Sequence, residues 1–264
     1  MTKWVNAAYP DETAAREAYR SLSLDACATT LAVAALLIVS MHSLGDYLGM
    51  DTAAAGTAFI IYAAVSAIAL GNLHAHGHGR FGAANSITTL RAAIAATLGG
   101  LVLASGEFGA VSDAGSLWLI GVVVAVALAL DGVDGYLARR TGTASRFGAR
   151  FDMEVDALLI LFLSLAAFLL AKAGVWVLLI GLMRYAYVAL QFIFPPLQRE
   201  LPPSTRRKAI CVIQGVALCL VLFPAVMPPV STALAAGALA SLVYSFAVDV
   251  VFLMQAGRGD RHAV

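Results

Sequence analysis

Between Asp131 and Asp156 the chain reads DGVDGYLARRTGTASRFGARFDMEVD, which sets four aspartates in two pairs, three and four residues apart. Either spacing puts both members of a pair on one face of a helix. Two helices joined by a short turn could therefore aim Asp131, Asp134, Asp152 and Asp156 at one point. Four carboxylates that close repel strongly in a low dielectric, and divalent cations relieve the repulsion. Oxygen donors with no histidine or cysteine interleaved favour magnesium or manganese over zinc. Gly135 and Gly148 remove side chains where a bulky ligand could approach the backbone, and Arg139 and Arg140 add cations beside the acids. Acid, metal, phosphate and arginine together suit diphosphate chemistry, in which metals bridge phosphate oxygens and arginine neutralises developing charge.

The elements that must hold these residues are membrane helices. With 61% hydrophobic and 12% charged residues in 264 and a mean hydropathy of +0.85, the chain lies outside the soluble globular range. A spanning helix needs about 20 mostly apolar residues. Runs near that length cover 26–44, 52–70, 92–105, 114–130, 157–170, 173–194, 210–226 and 230–254. The third and fifth are short but gain a turn or two on their N-terminal sides. The expected fold class is an all-α integral membrane protein, an antiparallel polytopic bundle of about eight transmembrane helices. Ionisable groups beside a bilayer are costly and tend to be functional, which singles out the aspartate segment. The rest of the chain reads mainly as scaffold.

Lysine and arginine in the loops set the orientation. With a cytoplasmic N-terminus, Arg16, Arg20, Arg80, Arg91, Arg146, Arg150 and the Arg206, Arg207, Lys208 triplet all fall inside, whereas Lys172 lands opposite. The outer loops carry Asp46, Asp51, Glu107 and Asp113. The expectation is a cytoplasmic membrane protein with both termini and the acidic cluster on the cytoplasmic side, and with no nucleic-acid partner. The near-zero net charge of +1 hides this asymmetry.

Along the chain, 10–24 suggests a short surface helix, with a solvated leader as the alternative, and 1–72 an accessory segment containing a transmembrane pair. A glycine- and histidine-rich linker over 73–88 leads into a working bundle over 80–264. His74, His76 and His78 alternate with glycine and alanine and have no acidic partner nearby, so a flexible cytoplasmic loop is expected rather than a metal site. Cys27, Cys211 and Cys219 lack metal or disulfide spacing and read as small core hydrophobes. The polar leader and the absence of a small-residue cleavage pattern argue against a removable signal peptide. Pro195, Pro196, Pro202 and Pro203 bracket the loop before the basic triplet.

The aspartate segment resembles the signature of the CDP-alcohol phosphotransferases, D-x2-D-G-x2-A-R-x8-G-x3-D-x3-D. Every fixed position is present: Asp131, Asp134, Gly135, Ala138, Arg139, Gly148, Asp152 and Asp156. Upstream, Asn85, Ile87, Thr88 and Arg91 look like the N-x-I-T-x-x-R segment that commonly opens the first core helix in that family.

The resemblance implies a six-helix core, usually homodimeric, with the leading pair as an addition. It implies that the four aspartates hold one or two Mg2+ or Mn2+ ions and that Asp156 is the general base. Asp131, Asp134, Gly135, Ala138, Arg139, Gly148, Asn85 and Thr88 would bind the CDP group. The implied reaction is phosphatidyl transfer from CDP-diacylglycerol to a small polar acceptor, with release of CMP. Arg150, Arg184, Arg206, Arg207 and Lys208 are candidate acceptor contacts, which tilts the choice of acceptor toward inositol or a phosphorylated polyol. Asp249, unusual in the last helix, is a candidate partner for Arg184 or a helix cap. The rivals are an intramembrane prenyltransferase, which needs a second aspartate cluster, and a divalent-cation or solute transporter, which a duplicated half would support. A non-catalytic relative is a third, but every signature position is intact.

Overall fold

The structure, a computed structural model, describes residues 12–104, 108, 114–140, 144–194 and 204–259, and among them every regular element is helical. The α-helices are α1 (Glu12–Leu44), α2 (Thr52–Gly71), α3 (Gly82–Ala104), α4 (Ala114–Arg140), α5 (Arg146–Leu169), α6 (Leu178–Ile193), α7 (Thr205–Leu222) and α8 (Val230–Gly259). Single 3-10 turns stand at Leu73–Ala75 and Val175–Val177. Among the described residues, six segments, within α1 to α4, the 3-10 turn with α6, and α8, are long and apolar enough to cross a membrane. The other two, α5 and α7, carry their charges in the opening turns, where Arg150 and Asp152 or Arg206 and Lys208 interrupt the apolar run. The chain is an all-α polytopic membrane protein, as expected. It divides into two compact units, 1–159 and 160–264.

In the first unit α1 is one unbroken helix, so the segment read as a surface helix continues directly into the first apolar run. Asp51 starts α2 by accepting the Ala54 N–H at 2.7 Å, which satisfies one of the donors left over at a helix start. Small residues then let α2 and α3 come close. A Cβ added at Gly100 would sit 2.3 Å from the Ala54 carbonyl oxygen and 2.7 Å from the Ala58 Cβ, the tight approach that drives association where no hydrophobic effect operates. Tyr62 ties α2 to α1 through a 2.8 Å bond to the Thr30 carbonyl.

The register of α5 matters most for function. Phe147, Phe151 and Val155 form one row at spacings of four and bury into a cluster with Leu22 and Ala26 of α1, Ala69 of α2, and Leu73, Phe81 and Ala92. Gly148, Asp152 and Asp156 form the adjacent row, turned by about 100°. Burying the aromatic row therefore fixes where the acidic row faces.

In the second unit Lys172 is buried. Its ammonium donates to the carbonyls of Val226 at 2.7 Å, Phe223 at 3.4 Å and Pro224 at 3.5 Å, while its own carbonyl accepts from Ser231 and Thr232. The lysine that broke the charge asymmetry thus serves as an internal clasp. Cys219 is buried as expected, but Cys27 and Cys211 are exposed on their helices. A thiol is apolar enough for a lipid-facing position, so hydrophobicity alone did not fix their burial.

Candidate active site

The described face of α3 is polar yet buried, and it accounts for its own hydrogen bonds. Thr88 and Thr89 return their hydroxyls to the Ala84 and Asn85 carbonyls at 3.1 and 2.8 Å. Asn85 donates to the Phe81 carbonyl at 2.5 Å. Two turns further on lies Arg91, 0% exposed. Its Nη1 is 2.9 Å from Asp131 on α4 and 2.5 Å from Asp152 on α5, and its Nη2 pairs with Asp156.

Two helices, α4 and α5, thus deliver three carboxylates to the one guanidinium of α3. One oxygen from each of Asp131, Asp152 and Asp156 lies within 4.8 Å of the others. These carboxylates are 21–34% exposed, so the arginine forms a floor beneath a cluster that solvent can reach. Three carboxylates and one guanidinium leave two negative charges if all are ionised, which matches one divalent cation. All-oxygen donors suit a hard ion such as magnesium or manganese.

Of the residues singled out in the sequence, Asp131, Asp152 and Asp156 come together. The side chains of Asp134, Ala138 and Arg139 on α4 lie outside the described residues. Gly148 sits at the start of α5, where a Cβ would be 2.9 Å from Asn85 Oδ1 and 3.3 Å from Ser145 Oγ. Asn85 and Gly148 are thus close neighbours, and any side chain at 148 would have to displace the Asn85 amide. Gly135 lies on α4, and Arg150 is exposed on α5.

In the second unit Arg206 donates to Asp249 at 2.5 Å and to the Ser245 carbonyl at 2.8 Å, and Arg207 reaches Asp249 at 3.3 Å. Asp249 was a candidate partner for Arg184 or a helix cap; it pairs with these two arginines on α7. The reason is register: Ser245 and Asp249, four residues apart, share one face of α8 and both meet Arg206. Arg184 lies half-buried on α6, and Lys208 is exposed.

Sequence reasoning did not assign Arg91 to the cluster. The signal was present, since a cation opening an apolar segment needs a counter-charge. It also missed Ser145, whose hydroxyl accepts the Gly148 N–H at 2.9 Å, and Asp25 of α1, which accepts the Phe81 N–H at 2.9 Å. Ser145 carries the local signal of an N-cap serine directly before a helix, whereas nothing local marks Asp25. His76, expected in an open loop, is buried and hydrogen-bonded at both ring nitrogens.

A family model for CDP-alcohol phosphatidyltransferase matches residues 81–248. The chain belongs to the CDP-alcohol phosphatidyltransferase family. It is therefore a transferase of phospholipid biosynthesis that acts on CDP-alcohol substrates in a lipid membrane. The family is generally dependent on divalent metal, and the carboxylate cluster provides a donor set for it. The match opens at Phe81, so α1, α2 and the histidine loop precede it. No curated protein and no solved structure matches the chain.

Proposed function

We propose that the protein transfers the phosphatidyl group of CDP-diacylglycerol to a hydroxyl of a small polar acceptor, inositol or a phosphorylated polyol, and releases CMP. The observation that carries this reading is the convergence of Asp131, Asp152 and Asp156 on Arg91. Their oxygens fit a hard divalent ion, and with Asp134 they would hold one or two Mg2+ or Mn2+. Such an ion supplies Lewis-acid polarisation of the diphosphate and offsets its charge.

The chain's own groups do the rest. Asn85, Thr88, Gly135, Ala138, Arg139 and Gly148 form the bed for the CDP group. Arg91 engages one oxygen of Asp156, which leaves the second for the acceptor. Asp156 takes the proton of the acceptor hydroxyl as its oxygen bonds to the β-phosphorus. The bond from that phosphorus to the bridging oxygen breaks, and CMP departs with the electron pair.

Arg150, Arg184, Arg206, Arg207 and Lys208 are the cationic candidates for the acceptor. A phosphorylated acceptor would gain charge-assisted bonds from arginine. An apolar cavity of about 170 Å³ between α1, α3 and α4, lined by Leu37, Ile94, Leu98 and Val124 among others, supports a lipid donor whose chains lie between helices. The proposed working core is 80–264, acting as a homodimer in the cytoplasmic membrane with its site facing the cytoplasm.

The test is CMP release from CDP-diacylglycerol by purified protein with Mg2+ or Mn2+, against inositol, inositol phosphate, glycerol phosphate and serine. Release that depends on inositol or a phosphorylated polyol supports the reading. Release that depends on serine corrects the acceptor, and no release with any acceptor overturns the donor.

A further inference from the structure

The histidine loop ahead of α3 has no part in the reaction described above, yet His76 within it is only 1% exposed. Its Nε2 lies 2.8 Å from the Arg80 carbonyl oxygen and its Nδ1 lies 2.8 Å from Ser145 Oγ. A carbonyl can only accept, so Nε2 carries the proton. A neutral ring then offers Nδ1 as acceptor for the Ser145 hydroxyl. Burial holds the His76 pKa below the usual imidazole range against the opposing effect of the Arg80 carbonyl, and His78 adds to the lowering, so the neutral ring is the form present near pH 7.

Ser145 is the N-cap of α5. Its hydroxyl oxygen accepts the Gly148 N–H at 2.9 Å and its carbonyl accepts the Ala149 N–H at 3.0 Å. A hydroxyl rotates to suit its partners. Committing its proton to His76 turns the oxygen lone pairs toward Gly148. The turn is also tightly packed, because Gly148 abuts the Asn85 side chain. Asp152 follows one turn later on the same face and Asp156 two turns later. Phe147 packs against His76 with ring centroids 5.5 Å apart, so the loop also contacts the aromatic row that sets the rotation of α5.

We propose that His76 is a positioning residue for the transfer reaction: through the Ser145 hydroxyl it fixes the first turn of α5, and with it the Asp152 and Asp156 carboxylates above Arg91. The proposal rests on reading those carboxylates as the divalent-ion site. His76 lies before the stretch matched by the family, so the support comes from this chain's own leading segment.

Two readouts test it in the full-length protein, and neither requires turnover. One is hydrogen–deuterium exchange over 146–150 in ion-free protein. The other is Mn2+ binding followed by electron paramagnetic resonance, with Mn2+ alone as the probe. His76→Ala and Ser145→Ala should each speed exchange by about fivefold, the effect of losing one N-cap, and weaken Mn2+ binding by about tenfold, the lower end for outer partners of metal ligands. The double variant should be no worse than Ser145→Ala alone.

Conservative variants separate positioning from a mere loop tether. His76→Asn puts an amide at the Nδ1 position and keeps the bond to Ser145, so it should retain both properties. His76→Gln puts its amide at the Nε2 position, keeps only the bond to Arg80, and should behave like His76→Ala. Retention by Gln with loss in Asn would overturn the proposal. So would faster exchange with unchanged Mn2+ affinity, since the cap would then not govern the carboxylates. Absence of Mn2+ binding by the wild type would overturn the ion-site reading and the proposal with it, while the exchange data would still show whether the cap exists.

Discussion

Taking a guanidinium fully out of solvent costs several kcal/mol, and a buried cation persists only where its partners are close and well oriented. Arg91 meets that condition through Asp131, Asp152 and Asp156 at once. Its removal leaves three carboxylates facing one another. Arg91→Ala should destabilise the protein by about 3–5 kcal/mol, read as a fall in melting temperature in detergent. Mn2+ should raise that melting temperature more than it raises the wild type's, because the ion supplies the missing positive charge. Equal shifts would mean that the three acids do not share a cation. Arg91→Lys should not restore the wild type, since one compact ammonium cannot reproduce a planar fork that bridges α4 and α5. At this scale the sequence displayed the acids through their spacing of three and four. It did not display their floor, because Arg91 is 61 residues from Asp152 and only packing brings them together.

Helices set these positions, and in the first unit small residues bring α2 and α3 close together. Gly100→Val should destabilise by about 1–3 kcal/mol through overpacking, since its Cβ would strike backbone of α2 rather than a side chain that can move. Gly56 is the control. Nothing lies within 4 Å of a Cβ there, so Gly56→Ala should leave the melting temperature unchanged or raise it through helix propensity. Equal losses in both variants would contradict the close packing of α2 on α3. The helices themselves were legible because most of the apolar runs approach spanning length and the short ones extend into helix-compatible sequence on their N-terminal sides. Their extensions were less so: α1 begins at Glu12, within a segment whose charges suggested a separate surface helix. The histidine loop was misread for a related reason. Glycine and alanine between histidines imply freedom, whereas the partner that orders His76 is Ser145, 69 residues away.

For the whole molecule, burial of Lys172 among carbonyls removes the one exception to the loop charge pattern, because a cation held internally does not report orientation. That is consistent with the proposed orientation, in which both termini and the acidic cluster face the cytoplasm. In a cysteine-free background in sealed vesicles, Lys208→Cys should react with an impermeant thiol reagent only from the cytoplasmic face, and Asp46→Cys only from the opposite face. The reverse pattern would put the acids on the wrong side for a soluble cytoplasmic acceptor. The central claim is that these carboxylates work through a hard divalent ion on a diphosphate. The most direct test is CMP release from CDP-diacylglycerol in liposomes after chelation, followed by return of Mg2+ or Mn2+. The account predicts no release under chelation, full recovery with either ion, and no recovery at any ion concentration in Asp156→Asn. Sustained release by the chelated wild type, or full activity of Asp156→Asn, would contradict it.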